Sequence, residues 1–75
     1  MEFNIILNRI IDIKDFVDIT YRFPYKQKVV QDTFVVDAKS IMGVLSLDWT
    51  QPAKYVCDTY DDELMHMLAR FRAED

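Results

Sequence analysis

The chain has 75 residues, 51% of them hydrophobic, with a single Gly and two Pro; this fits one small packed domain, residues 1–75, and excludes a disordered tail or a multidomain chain. Thirteen acidic and nine basic residues give a net charge of −4, and the basic ones form no stripe, so the chain is a poor candidate for unaided binding of nucleic acid. No apolar run reaches the roughly 18 residues of a membrane span.

Glu2 to Leu7 is short, apolar and β-branched, and reads as a strand. After a brief connection at Asn8-Arg9, the residues Ile13, Phe16, Val17 and Thr20 fall at helical spacing. Asp12 is a candidate cap and Pro24 stops the run, so a helix is predicted from about Asp12 to Arg22. Lys26–Asp32 and Thr33–Ala38 read as two strands joined by a tight turn at Gln31-Asp32-Thr33. Ser40 then precedes the apolar run Ile41–Leu47, an N-cap signature that predicts a short helix. Asp48–Pro52 reads as loop and Ala53–Asp58 as a fourth strand. The acidic cluster Asp61-Asp62-Glu63 suits a helix N-terminus. Behind it Leu64, Met67, Leu68 and Phe71 form one apolar stripe. The order β-α-β-β-α-β-α in so short a chain predicts an α+β fold, a single four-stranded sheet with its helices packed on one face.

Few residues suggest chemistry. Cys57, the sole cysteine, forms no internal disulfide and reads as a small buried hydrophobe. The start MEFNIILNRI has neither a basic n-region nor a small-residue cleavage site, so a cytoplasmic location is expected. His66 reads as a surface or boundary residue, flanked by Met65 and Met67 rather than by catalytic partners. Asp58, Asp61, Asp62 and Glu63 lack the Gly and ligand alternation of a calcium loop, so no metal is expected, and nothing points to a cofactor. Ile41, Met42, Val44, Leu45 and Leu47 cannot all face inward from a two-turn helix. Val44 and Leu47 are the core candidates; Ile41, Met42 and Leu45 would then form an exposed patch suited to a protein partner. Trp49 is equally suited to covering the core edge or extending that patch.

The segment Lys39-Ser40-Ile41-Met42-Gly43-Val44-Leu45-Ser46-Leu47 resembles the region around the regulatory serine of the HPr (histidine-containing phosphocarrier) family of Gram-positive bacteria. The likeness runs without a gap from about Asp37 to Thr59. Element order and the final helix also match, and Phe16-Val17 resembles the Phe-Val pair of the family's first helix. The resemblance implies an open-faced β-α-β-β-α-β-α sandwich with an antiparallel sheet. It departs at the start, where the family carries a Gly-Leu-His-x-Arg-Pro type loop whose histidine accepts a phosphoryl group. Counting back from Phe16-Val17 puts the histidine position near Arg9 and the arginine position near Ile11, beside Asn8. Arginine stays protonated and has no lone pair for phosphorus, and isoleucine has no polar atom. Asp48 and Pro52 stand where the family usually has glycine, which bears on the loop and not on the fold.

The resemblance therefore implies a protein related to the sugar phosphotransferase system in which the phosphocarrier step is lost: a non-enzymatic regulatory or binding module, like the Crh-type HPr-like proteins of catabolite repression. By the same resemblance Ser40 is the candidate regulatory phosphoserine, and Ile41, Met42 and Leu45 are the candidate partner-binding residues. Asn8, Arg9 and Ile11 are the degenerate phosphohistidine region. The implied partners are proteins: an HPr kinase, a transcriptional regulator, or phosphotransferase-system components. Two alternatives stay open, a carrier with an unorthodox acceptor and an interaction domain that ignores phosphorylation. Capping alone also accounts for Ser40.

Overall fold

The computed structural model describes residues 1–73. Its elements are β1 (Glu2–Ile5), α1 (Ile10–Tyr21), β2 (Gln27–Gln31), β3 (Phe34–Asp37), α2 (Ile41–Leu45), β4 (Ala53–Cys57) and α3 (Asp62–Leu68), the last prolonged by a 3₁₀ turn over Ala69–Phe71. The strands form one antiparallel sheet in the order β1-β4-β2-β3, with the three helices on one face. This is the predicted α+β architecture.

Alternation decides which strand residues meet the helices. Phe3 and Ile5, Val29, and Ala53, Tyr55 and Cys57 point inward and are buried; Glu2, Lys28 and Lys54 point to the bare face. Register brings Phe3, Tyr55 and Val29 side by side across the three strands. Helix α1 supplies Ile13, Phe16, Val17 and Ile19 at the predicted spacing. Phe16 sits at the centre, edge-on to Tyr55 at 6.0 Å and to Phe71 at 5.8 Å. Such edge-to-face pairs each add about 1 kcal/mol beyond area burial. Leu64, Leu68 and Phe71 of the predicted stripe are buried, with Met67 packed at their margin.

The hairpin between β2 and β3 turns on Asp32 and Thr33, since Gln31 pairs with Phe34. Asp32 has φ of 53°. Two-residue hairpins need positive φ at the first turn position to match strand twist, and Asp is among the residues that tolerate it best.

One predicted detail is corrected. Helix α1 starts two residues before Asp12, and its N-cap is Arg9, which makes no side-chain capping bond. Asp12 lies inside the first turn instead. There its carboxylate favours the dipole and accepts both Nε (3.2 Å) and Nη2 (3.1 Å) of Arg9. The Arg9 side chain is its main partner, with the Arg9 backbone N–H as a further donor.

Polar side chains tie helices to sheet. Two glutamines of β2 point inward, both buried. Gln27 donates through Nε2 to the carbonyls of Thr20 (3.0 Å) and Phe23 (3.3 Å), at the end of α1, and its Oε1 accepts the Tyr55 hydroxyl at 2.7 Å. Gln31 pairs reciprocally with the backbone of Asp48, donating to its C=O and accepting from its N–H, both at 2.7 Å. The Thr20 hydroxyl lies between the carbonyls of Val17 (3.0 Å) and Ala38 (2.9 Å). Among the described residues, no buried side-chain polar atom lacks a partner.

Replacing Gln27 by Leu keeps the volume and strips partners from Tyr55 and from two carbonyls. The expected loss is about 3 kcal/mol in urea unfolding, well above the roughly 1 kcal/mol of a single hydrogen bond. A second expectation concerns acid. The Tyr25 hydroxyl donates to Asp61 Oδ2 at 2.5 Å and the Leu64 N–H donates to Oδ1 at 3.0 Å. These bonds, Tyr25 first, hold the Asp61 carboxyl below the usual carboxylate range. A depressed folded pKa gives stability that is full above the unfolded value near 3.9 and is lost as pH falls through the folded value. Tyr25→Phe is therefore expected to reduce stability near neutrality and to flatten its decline in urea titrations between about pH 6 and pH 2.

Candidate functional site

The loop after Asp37 is built to start a helix. The Ser40 N–H donates to the Asp37 carbonyl at 3.0 Å, and Asp37 Oδ1 accepts the Lys39 N–H at 2.9 Å. Ser40 stays extended (φ −102°, ψ 111°), and its Oγ accepts the Gly43 N–H at 3.1 Å. The predicted cap is thus made, with the hydroxyl half-buried at the opening turn of α2. The bond occupies one lone pair of the oxygen, in a residue that is only partly buried.

Helix α2 lies close on β3, and Gly43 makes that approach possible. A Cβ at Gly43 would stand 3.1 Å from Val36 Cβ and 3.4 Å from Ser40 Oγ. Val36 Cβ is fixed to the backbone, so it cannot swing aside. Held this way, α2 buries Val44 and, just past its end, Leu47. Ile41 is 43% exposed, Met42 76% and Leu45 40%. These three partner-binding candidates share the outward side of α2 directly after Ser40. Trp49 is half-buried against the core edge and donates Nε1–H to the Val44 carbonyl at 2.9 Å. It serves as a C-terminal clamp on α2.

The stretch that the family resemblance marks as a phosphohistidine region is arranged differently. Asn8, Arg9 and Ile11 are exposed, in the connection before α1 and its first turn. The Arg9 guanidinium grips Asp12 through two nitrogens. This hydrogen bond raises the Arg9 pKa and lowers that of Asp12. One turn further on, Arg70 donates to Asp15 at 3.3 Å. Two arginines and two aspartates thus pair off around the start of α1. A helix N-terminus ordinarily favours an anion; here the first turn already carries its own. Arg9 starts α1, whereas the Thr20–Ala38 bond ties the approach to Ser40 to a point roughly 16 Å further along that helix.

The remaining candidates fall where the sequence put them. His66 is exposed on α3, and Cys57 is buried in β4. Among the described residues no three His, Cys, Asp or Glu side chains converge to hold a metal ion, and no helix is long and apolar enough to cross a membrane. Two features of the site escape sequence reasoning. The Arg9–Asp12 grip was hidden because Asp12 also suits a cap, and the packing role of Gly43 has no local signal.

In an open helix, Gly→Ala adds about 1 kcal/mol of stability. At Gly43 the crowding of Val36 and Ser40 is expected to reverse the sign, giving a net loss of about 1 kcal/mol. Chemical denaturation of Gly43→Ala checks this.

No protein-family model matches this chain, and no curated protein matches it. Among solved structures it is similar to the crystal structure of HPr-C-His from Thermoanaerobacter tengcongensis. The two share 26% sequence identity with a TM-score of 0.76, over 93% of this chain and 88% of that one. The element order, the sheet and this likeness together give the protein an HPr-like fold.

Proposed function

We propose that the protein is a non-catalytic, HPr-like regulatory module related to the sugar phosphotransferase system, acting in the cytoplasm through protein partners. The observation that carries this reading is the contrast between two helix starts. At α1, where the family resemblance would put a phosphohistidine, Arg9 is locked onto Asp12. At α2, the Ser40 hydroxyl caps a helix whose neighbouring Ile41, Met42 and Leu45 are exposed.

In this reading an HPr kinase phosphorylates Ser40. The phosphate oxygens take over the Gly43 N–H from the hydroxyl and gain from the dipole at the start of α2. The apolar side chains beside it then bind a transcriptional regulator or a phosphotransferase-system component, with the added charge selecting the modified form. Neither Arg9 nor Ile11 can accept phosphorus, so the phosphoenolpyruvate-driven carrier step is absent. The exposed His66 is the one imidazole that a carrier reading could use, and it lies within α3 rather than at the start of α1 or α2.

Incubation with ATP and an HPr kinase is expected to add one phosphate at Ser40, seen by peptide mass spectrometry, and none to Ser40→Ala. That variant loses a cap and about 1 kcal/mol, so it stays folded if the wild-type margin is ordinary. An unmodified Ser40 would remove the regulatory half of the proposal. Label arriving from phosphoenolpyruvate through the system's first enzyme would overturn the non-carrier half. Met42→Glu, at a side chain 76% exposed, is expected to abolish partner capture while moving stability by less than about 0.5 kcal/mol.

A further inference from the structure

The two edges of the sheet are finished differently. The outer edge of β1 is sealed by the end of the described chain: the Ile6 N–H donates to the Phe71 carbonyl at 3.0 Å, the Ala73 N–H donates to the Asn4 carbonyl at 2.9 Å, and Ile5 forms a bridge with Arg72. The outer edge of β3 has no such cover among the described residues.

The phase of that open edge follows from one bond. The Ala38 N–H donates to the Gln27 carbonyl at 3.0 Å, and these two residues continue the β2–β3 register. In an antiparallel ladder alternate residues face the partner strand. Phe34, Val36 and Ala38 therefore bond to β2, while Val35 and Asp37 turn their backbone groups outward. The Asp37 carbonyl accepts the Ser40 N–H. The N–H and C=O of Val35 have no partner among the described residues. Phe34 and Val35 beside them are 63% and 61% exposed.

Basic side chains gather beside this edge, Lys26 and Lys28 from the neighbouring β2 segment and Lys39 just after β3. A shallow concavity along it is lined by Tyr25, Lys26, Lys28, Val35, Asp37 and Lys39. None of the three lysines forms an ion pair among the described residues. Asp37 is the one acid in the lining, and its Oδ1 is engaged by the Lys39 N–H. Three lysines less one aspartate leave +2 in this lining, in a chain whose net charge is −4; Lys26 and Lys28 also border a second concavity that holds Asp58. Lysines at an edge guard against self-pairing, because a second copy brings the same charges to the seam. The same lysines are complementary to acidic side chains.

We propose that β3 receives an extended acidic segment of a partner protein as a fifth strand. Val35 supplies the main-chain bonds, as strand addition requires. Phe34 and Val35 supply apolar contact, and Lys26, Lys28 and Lys39 select for carboxylates. The test uses the protein with Ser40 unmodified, so its failure and that of the reading above are separate results.

Two blocked pentapeptides test it by backbone amide NMR: acetyl-Glu-Val-Glu-Val-Glu-amide, and its counterpart with lysine in place of glutamate. The acidic peptide is expected to shift the amides of Val35 and Asp37 most, to slow hydrogen exchange at Val35, and to bind about tenfold more tightly than the basic one. The double variant Lys28→Glu/Lys39→Glu is expected to weaken the acidic peptide by about tenfold, with an unchanged circular dichroism spectrum. Raising salt is expected to weaken the wild-type complex, a reading that holds even if the variant misfolds. Absence of shifts at Val35 with the acidic peptide, equal affinity for both peptides, or shifts that follow protein concentration rather than peptide, the mark of self-pairing, would each overturn the proposal.

Discussion

The interior of this protein is organised by two glutamines four residues apart on one strand. Gln27 and Gln31 both face the helices from β2, a position that ordinarily belongs to valine or isoleucine. Each reaches beyond the end of a helix and ties the following backbone to the sheet. Helix C-terminal carbonyls need donors, and neither α1 nor α2 has a basic residue in its last turn. At α1 the sheet supplies one, from Gln27 to the Thr20 carbonyl; at α2 Trp49 of the following loop donates to the Val44 carbonyl, and Gln31 holds the loop itself at Asp48. Apolar burial gathers the helices on one face, but it is non-directional. The amides fix where along the sheet α1 and the loop after α2 come to rest, and Tyr55, bonded to Gln27, links this anchor to the aromatic cluster around Phe16.

That anchoring sets the geometry around Ser40. The Thr20 hydroxyl bonds to the Ala38 carbonyl, two residues before the serine, and Gly43 lets α2 settle on Val36. The cap, the close approach and the Trp49 clamp all fix one short helix of five residues, which would not persist alone in water. Its exposed apolar residues are held in place by tertiary contacts rather than by helical propensity. The opposite treatment of α1 is equally physical: a twelve-residue helix with a packed face stands without a side-chain cap, and its first turn is left to an internal arginine–aspartate pair.

Much of this was legible in the sequence because two periodicities were clean. The i, i+3, i+4 spacing of Ile13, Phe16, Val17 and Thr20 and the alternation in β4 follow directly from burial on one face. Ser40 was readable as a cap because its hydroxyl acts within three residues. What stayed hidden depends on contacts between distant segments. Gln27 and Gln31 look like solvent-facing residues until their partners, 7 and 17 residues away for the principal bonds, are known. Gly43 reads as a weak point in a helix until Val36 is brought beneath it. Asp12 was read as a cap because Asp is suited both to capping and to pairing with a cation, and only the position of Arg9 decides between them. The grouping of Lys26, Lys28 and Lys39 beside β3 was equally invisible, since they are separated in sequence by strand and turn.

The first strand has a consequence for the order of folding. Met1 donates to the Cys57 carbonyl, 56 residues away, and β1 pairs along its length with β4. Its other edge is closed by residues 71–73. A chain emerging from the ribosome therefore delivers β1 long before either neighbour exists. The hairpin β2–β3 can form from local contacts, but β1 must wait as an unpaired strand until most of the domain has been made. Such non-local pairing is the slow kind, because loop closure must precede the contacts that reward it. The first strand thus docks only after β4 and residues 71–73 have been made.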